Sequence, residues 1–207
     1  MDKGLTKSIL MNTNVKTAKS VLFNVNNDDL NKICNELGTQ NIVVKPCSCG
    51  SSAGVTIVRT KEELENAIQF ARKYGENLLI EEYIEGREFS VGILEGECLP
   101  PIEIIPKQGF YDYKNKYQAG LTEEICPANL SEEETKEIGE AALEVHTALK
   151  LEDYSRIDFM YDGKKFHCLE ANTLPGMTPT SLLPQEALAV GITYEQLCNK
   201  IVEMGMK

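Results

Sequence analysis

Hydrophobic positions change their spacing several times along this chain, and each change marks an element. In NDDLNKICNEL (27–37), Leu30, Ile33, Cys34 and Leu37 recur at helical spacing behind capping residues, which predicts a helix. NIVVKP (41–46) and GVTIVR (54–59) are short and rich in β-branched residues, and predict two strands joined by a loop. Thr60 with Glu63, Ser131 with Glu134 and Thr193 with Gln196 have capping-box spacing. They start predicted helices running to about Tyr74, to about Lys150 and through ITYEQLCNKIVEM. NLLIEEY and REFSVGIL read as strands, and EGE (95–97) as a tight hairpin turn into CLPPIEII. SRIDFMY and KFHCLEAN around DGK predict a second hairpin, followed by a Pro-Gly loop and two final helices. Hairpins covered by helices predict an α+β chain in two small lobes.

One stretch breaks the pattern. Residues 106–128, PKQGFYDYKNKYQAGLTEEICPA, sustain no period, and their aromatic side chains argue against disorder. The expectation is a long ordered loop, and loops of that length in small domains usually serve function.

With 207 residues the chain can build one large domain or two small ones, each with a core. The net charge of −11 argues against a nucleic-acid partner, because phosphate backbones are held by clustered Lys and Arg. It leaves room for a small anion held by a few lysines. No apolar run reaches membrane-spanning length and the N-terminus lacks a signal-peptide core, so no membrane partner is expected and the expected compartment is the cytoplasm. The cysteines at 34, 47, 49, 98, 126, 168 and 198 are odd in number and scattered, which fits reduced, buried thiols.

VVKPCSCGSSAGV (43–55) poses the main chemical question. Cys47 and Cys49 supply two thiolates, whereas a structural zinc takes about four ligands. His146 and His167 stand elsewhere in the chain, and the bland reading of both histidines and both cysteines is favoured. Gly50, Ser51, Ser52 and Gly54 instead bring backbone N–H groups and hydroxyls close together, as a nest for an anion does. Lys45, at the end of the preceding strand, can reach the same anion. The loop lacks the Gly-Lys-Ser/Thr of a Walker A sequence, so alone it is a moderate signal.

The second constellation lies on the hairpin SRIDFMYDGKKFHCLEAN. A two-residue turn puts Asp158 and Glu170 on opposite faces. A three-residue turn (162–164) sets Arg156 against Glu170 and Asp158 against Cys168, and lines one face with Arg156, Asp158, Glu170 and Asn172. Ile157, Phe159, Leu169 and Ala171 then lie behind. Two carboxylates and an amide are oxygen ligands suited to Mg²⁺ with nucleotide phosphates. The alternative is a surface salt bridge between Arg156 and Glu170.

VVKPCSCGSSAGV, LLIEEYIEGREFSV, FYDYKNKY, SRIDF and CLEANTLPGMTPTSLLP, in this order and spacing, resemble the D-alanine–D-alanine ligases of the ATP-grasp superfamily. MDKGLTK is similar to a mid-chain segment of the same family, and the resemblance covers essentially all of residues 1–207. It implies an ATP-grasp fold in which two α+β lobes clamp a nucleotide: a central subdomain over 1–83 with its phosphate loop at 45–54, and a C-terminal subdomain over 84–207. The latter would hold an ω-type loop at 106–128 and a metal hairpin at 154–172. The implied reaction is ATP-dependent joining of two D-amino acids through an acyl phosphate, for peptidoglycan precursors.

The same resemblance implies roles. Lys3 and Lys45 would contact the α- and β-phosphates, with Ser52 in the same cradle. Glu81 and the backbone at Ile84 would read adenine, and Glu88 the ribose. For Glu81 and Glu82 the alternative is an exposed strand edge, kept for at least one of them. Lys116 would close over the γ-phosphate. Asp158, Glu170 and Asn172 would hold two Mg²⁺ ions, for which Mn²⁺ can substitute. Arg156 and the Gly176 N–H would stabilise the tetrahedral oxyanion, and Ser181 would hold the second substrate's carboxylate. Ser51 and Tyr117 would position the first D-alanine, and Tyr117 favours an amine over a hydroxy-acid nucleophile.

Family members carry a further N-terminal α/β domain, which supplies a glutamate to the first substrate site and much of a homodimer contact. Residues 1–44 do not resemble it; the chain is expected to be the catalytic portion of a longer enzyme, the alternative being a shortened natural relative. Two other functions stay open: a nucleotide-binding module without turnover, and a variant ligase accepting D-serine.

Overall fold

Three capping boxes fix three helix starts, and in the computed structural model each is closed in both directions by its side chains. The structure describes residues 2–39, 41–50, 52–107 and 121–206. The chain divides into two units, the first of Met1–Ser8, Thr17–Glu85 and Pro106–Thr122, the second of Ile9–Lys16, Gly86–Ile105 and Glu123–Lys207.

In the first unit, β2 (Ser20–Asn24), β5 (Asn77–Glu82), β3 (Ile42–Pro46) and β4 (Thr56–Val58) form a four-stranded sheet in that order, antiparallel throughout. Helices α2 (Leu30–Leu37) and α3 (Lys61–Ala71) bury Ile33, Leu37, Leu64 and Ile68 against Val21, Phe23, Val44 and Ile80. The third helix of this region, α1 (Lys3–Leu10), is different in kind. Its buried positions are Lys3, Gly4, Lys7 and Leu10, so half of its inward stripe is cationic. A Cβ on Gly4 would stand 2.6 Å from Leu22 Cδ1, so the exposed Leu22 side chain would have to shift.

In the second unit, β6 (Arg87–Leu94) and β10 (Tyr154–Tyr161) form the middle of a seven-stranded sheet. Its order is β1 (Lys16–Thr17), β11 (Phe166–Asn172), β10, β6, β8 (Ile102–Pro106), β9 (Thr122–Ile125), with β7 (Glu97–Cys98) also on β6. Alternation divides this sheet's faces. Phe89, Val91, Ile93, Ile157 and Phe159 point to α4 (Glu132–Ala148), where they meet Ile138, Ala142 and Val145. On the other side, α5 (Leu182–Ala189) and α6 (Tyr194–Met204) pack Leu183, Ala187 and Leu197 on Leu94 and Leu99. The β6–β7 turn has positive φ at both Glu95 (53°) and Gly96 (79°), the conformation a two-residue hairpin turn demands.

Two expectations need correction. Part of the 106–128 segment is not loop: β8 extends to Pro106 and Thr122–Ile125 is an edge strand of the sheet. Its TEEI sequence has weak strand propensity, and pairing with its neighbour supplies what the local pattern lacks. The hairpin of β10 and β11 also turns differently from either expected register. Tyr161 pairs with Phe166, leaving the four residues Asp162–Lys165 in the turn, and Asp162 accepts the N–H groups of Lys164 and Lys165, both at 2.8 Å.

Candidate active site

The turn just described would put Asp158 and Glu170 on opposite faces if the ladder ran on unbroken. It does not. Phe159 pairs with Cys168, but Asp158 pairs with Glu170 and Arg156 with Asn172, so Leu169 is the extra residue of a bulge. A one-residue slip reverses the face of every later side chain. Before the bulge Phe166 and Cys168 enter the apolar core, and after it Ala171 does. The bulge therefore brings Arg156, Asp158, Glu170 and Asn172 to one face. It also opposes Arg156 to Asn172 rather than Glu170, and it moves Cys168 to the core side.

Asp158 is the centre of this face. It is buried, and Oδ1 accepts from Ser90 Oγ at 2.8 Å and Arg156 Nε at 2.9 Å. Oδ2 accepts from Arg156 Nη2 at 3.0 Å and Asn172 Nδ2 at 2.9 Å. In place of the alternative, a surface pair of Arg156 with Glu170, Arg156 forms a buried fork with Asp158, which raises the guanidinium pKa against the opposing effect of burial. In kind, the donor set fits a hard cation: two carboxylates and an amide. Among the described residues no group of three or more His, Cys, Asp and Glu gathers as a metal site.

Beneath this face lies Glu186 of α5, which sequence reasoning missed. Gly92 is the cross-strand neighbour of Arg156, and its N–H donates to Glu186 Oε1 at 3.1 Å. A Cβ on Gly92 would stand 2.6 Å from Glu186 Oε2, so glycine is what admits the carboxyl. Glu186 is fully buried, and Oε2 has no hydrogen-bond partner. Burial raises its pKa well above 4.5, and Arg156 offsets this only in part.

The loop after β11 brings two more expected residues together. A Cβ on Gly176 would lie 3.0 Å from Ser181 Oγ. Ser181 stands at the N-cap of α5, yet its hydroxyl accepts from Thr178 N at 3.0 Å and meets Thr178 Oγ1 at 2.8 Å instead of capping the helix. Tyr194 OH donates to Met177 O at 2.7 Å and Gln185 Nε2 to Thr180 O at 3.0 Å, which pins the loop from both ends. Glu88 is half-buried on β6, between Ile104 and Met160 in register.

The first unit holds the other expected cluster. Lys45 is the next-to-last residue of β3, and the following loop turns through positive φ at Ser52 (55°) and Gly54 (73°). Gly54 answers a double constraint, since a Cβ there would stand 2.7 Å from both Pro46 and Tyr74 side chains. Lys3 Nζ donates to Cys49 O and its backbone N–H to Cys47 O at 2.9 Å, tying α1 to this loop. Cys47 is buried, which pushes its thiol up to about 11, and Cys49 Sγ meets Tyr74 O at 3.5 Å. Ile84 is half-buried in the segment after β5.

Glu81 overturns the strand-edge alternative. β5 lies inside its sheet, between β2 and β3, and Glu81 is 2% exposed. One carboxylate oxygen meets Lys7 Nζ at 2.5 Å and the other meets Lys45 Nζ. Although burial raises a carboxyl's pKa, the two lysines prevail and hold Glu81 below the usual 4.5. Glu82 is half-buried, with its carboxylate on Lys19 N at 2.9 Å. Ser51, Lys116 and Tyr117 lie outside the described residues.

A Gly-Ser loop beside Lys3 and Lys45, and a carboxylate face on a bulged hairpin, fit one class: the ATP-grasp proteins. Residues 10–203 match the family model described as D-ala D-ala ligase C-terminus. The chain is 41% identical over its whole length to the D-alanine–D-alanine ligase of Halalkalibacterium halodurans, 70% of which it covers. Among solved structures, the D-alanine–D-alanine ligase of Bacillus anthracis complexed with ATP superposes with TM-score 0.84 at 35% identity, over 98% of this chain and 65% of that one. The VanG D-Ala:D-Ser ligase of Enterococcus faecalis gives 0.87 at 30%, over 98% and 61%. The chain belongs to the D-alanine–D-alanine ligase family and corresponds to its C-terminal portion. No helix among the described residues is long and apolar enough to cross a membrane.

Proposed function

We propose that this chain is the nucleotide-binding and catalytic portion of an ATP-dependent ligase that joins two D-amino acids, D-alanine first among them. The observation that carries the reading is the bulge in the hairpin, which costs a ladder position and gains a convergent Arg156, Asp158, Glu170 and Asn172. A bulge retained inside a sheet beside a polar cluster is a device for aiming side chains.

In this reading Lys3, Lys45 and Ser52 hold ATP phosphates, Lys116 covers the γ-phosphate, and Glu81, Ile84 and Glu88 hold adenosine. Asp158, Glu170 and Asn172 would hold Mg²⁺, whose charge offsets that of the phosphoryl group in transfer. One carboxylate oxygen of the first D-alanine attacks the γ-phosphorus and ADP leaves. The amine of the second D-amino acid then attacks the acyl carbon, and phosphate leaves as the amide forms. Arg156 is anchored by two hydrogen bonds to Asp158 before any substrate arrives, which is the preorganisation that oxyanion stabilisation requires. Gly176 N–H and Ser181, on the pinned loop, would face the same oxyanion and the second carboxylate. Ser51 and Tyr117 would position the first substrate.

The test is D-alanine-dependent release of phosphate from Mg·ATP, in wild type and in Glu170→Gln. Loss of at least about a hundredfold in turnover is expected for the variant, from removing one charged ligand of the cation. Full activity in Glu170→Gln would sink the metal assignment. The similarity to VanG favours a second reading, in which D-serine is the nucleophile. Its mark would be D-serine outcompeting D-alanine at the second position when D-alanine is supplied as the first substrate.

A further inference from the structure

We infer that Lys7 is a positioning residue for the phosphate site: it shares the buried Glu81 carboxylate with Lys45 and so leaves the Lys45 ammonium able to pass to a nucleotide phosphate. The inference rests on the reading of Lys45 as a phosphate ligand, and it assigns a job to a residue which that reading leaves aside.

The geometry is confined to one small region. Lys3 and Lys7 are one helical turn apart on the buried stripe of α1. Lys3 reaches the loop at Cys49 O, whereas Lys7 turns to Ala18 O and to Glu81 Oε1, each at 2.5 Å. Lys45, next to that loop, takes the other oxygen of Glu81. The side chains of Lys7 and Glu81 are 9% and 2% exposed, so water screens this cluster weakly.

In such a place a carboxylate with one cation holds it hard, because separation leaves a bare buried charge. With a second cation fixed on its other oxygen, the carboxylate is already neutralised and its hold on Lys45 weakens. Lys7 is fixed for this purpose by its second bond to a backbone carbonyl. Lys45 stands on β3 one residue from its end, where the strand runs into the Gly-Ser loop. The two ammonium groups thus divide labour, one held on Glu81 and Ala18 O and the other on Glu81 beside the Gly-Ser loop.

The experiment is calorimetric titration of the chain with Mg·ATP and with adenosine, read as the ratio of the two affinities. That ratio isolates the phosphate contribution from any change at the adenine end. Lys7→Met keeps length and removes charge, and is expected to lower the ratio about tenfold or more, the size of one charge-assisted contact. Adding Glu81→Gln to Lys7→Met removes the carboxylate that would trap Lys45, and is expected to return the ratio to within about threefold of wild type. A purely structural lysine would weaken ATP and adenosine alike, and an unchanged ratio in Lys7→Met overturns the inference. Where Lys7→Met does not fold, the double variant decides: a ratio still about tenfold low means that Lys7 acts on phosphate directly and the inference fails. Absence of ATP binding by the wild-type chain would instead overturn the nucleotide reading itself.

Discussion

Glu81 and Glu186 are both buried glutamates, and their surroundings drive them to opposite charge states. Glu81 has an ammonium on each oxygen, and the pair outweighs desolvation, so its carboxyl is held below 4.5. Glu186 lies under a guanidinium that Asp158 has already taken with two hydrogen bonds, and its own Oε2 has no partner, so burial pushes it well above 4.5. Burial alone decides little. What decides is whether the nearby cation is still available.

The largest effect should follow from removing the ionised member of this comparison. Glu81→Gln leaves Lys7 and Lys45 facing a neutral amide in a buried site, and breaking a buried ion pair from one side costs about 3–5 kcal/mol. Urea denaturation at neutral pH measures it, and a loss below about 1 kcal/mol would show the cluster to be hydrated. Acid tests the same site without mutation. The folded pKa is depressed, so the contribution of Glu81 is present above 4.5 and is lost as pH falls below it toward the folded value. The wild-type chain should therefore lose more stability on acidification below 4.5 than the Lys7→Met, Glu81→Gln double variant.

A smaller effect is expected at Asp158. Ser90→Ala removes one neutral donor from a buried carboxylate that keeps Arg156 and Asn172, and should cost about 1–2 kcal/mol. Asp158 is buried by the same sheet that buries Glu186, yet it has the donors that Glu186 lacks. Equal sensitivity at the two sites would erase that contrast.

How much of this was legible beforehand follows from what each element needs. Capping boxes at Thr60, Ser131 and Thr193 are local chemistry, and all three helices start where their spacing puts them. The carboxylate face was legible in its members but not in its means. A bulge is a tertiary choice of register, and nothing local distinguishes it from a three-residue turn. α1 was illegible to hydrophobic periodicity because Lys3 and Lys7 occupy positions where a core helix would place apolar residues. Its stripe is visible only once the lysines are known to be paired. Glu186 sits in LLPQEALA, where neither spacing nor composition sets it apart from a solvated glutamate; only Gly92, far away in the chain, makes room for it.

The smallest effect, and the most informative in sign, is expected for Glu186→Gln. Glutamine keeps the side-chain shape and an oxygen for Gly92 N–H, so at pH 4.5 the variant should lie within about 1 kcal/mol of wild type. The difference should then change with pH. The folded pKa of Glu186 is raised, so between 4.5 and that value the unfolded chain releases a proton that the folded chain retains. The folded state binds more protons there, and wild-type stability must fall as pH rises through this window. Glutamine has no proton to retain, so Glu186→Gln should gain on wild type with each step above 4.5. Denaturation midpoints of the two proteins at a series of pH values between 4.5 and 8 would show the curves separating. Parallel curves would mean that Glu186 ionises as an ordinary carboxyl, and that the Arg156 guanidinium serves both it and Asp158.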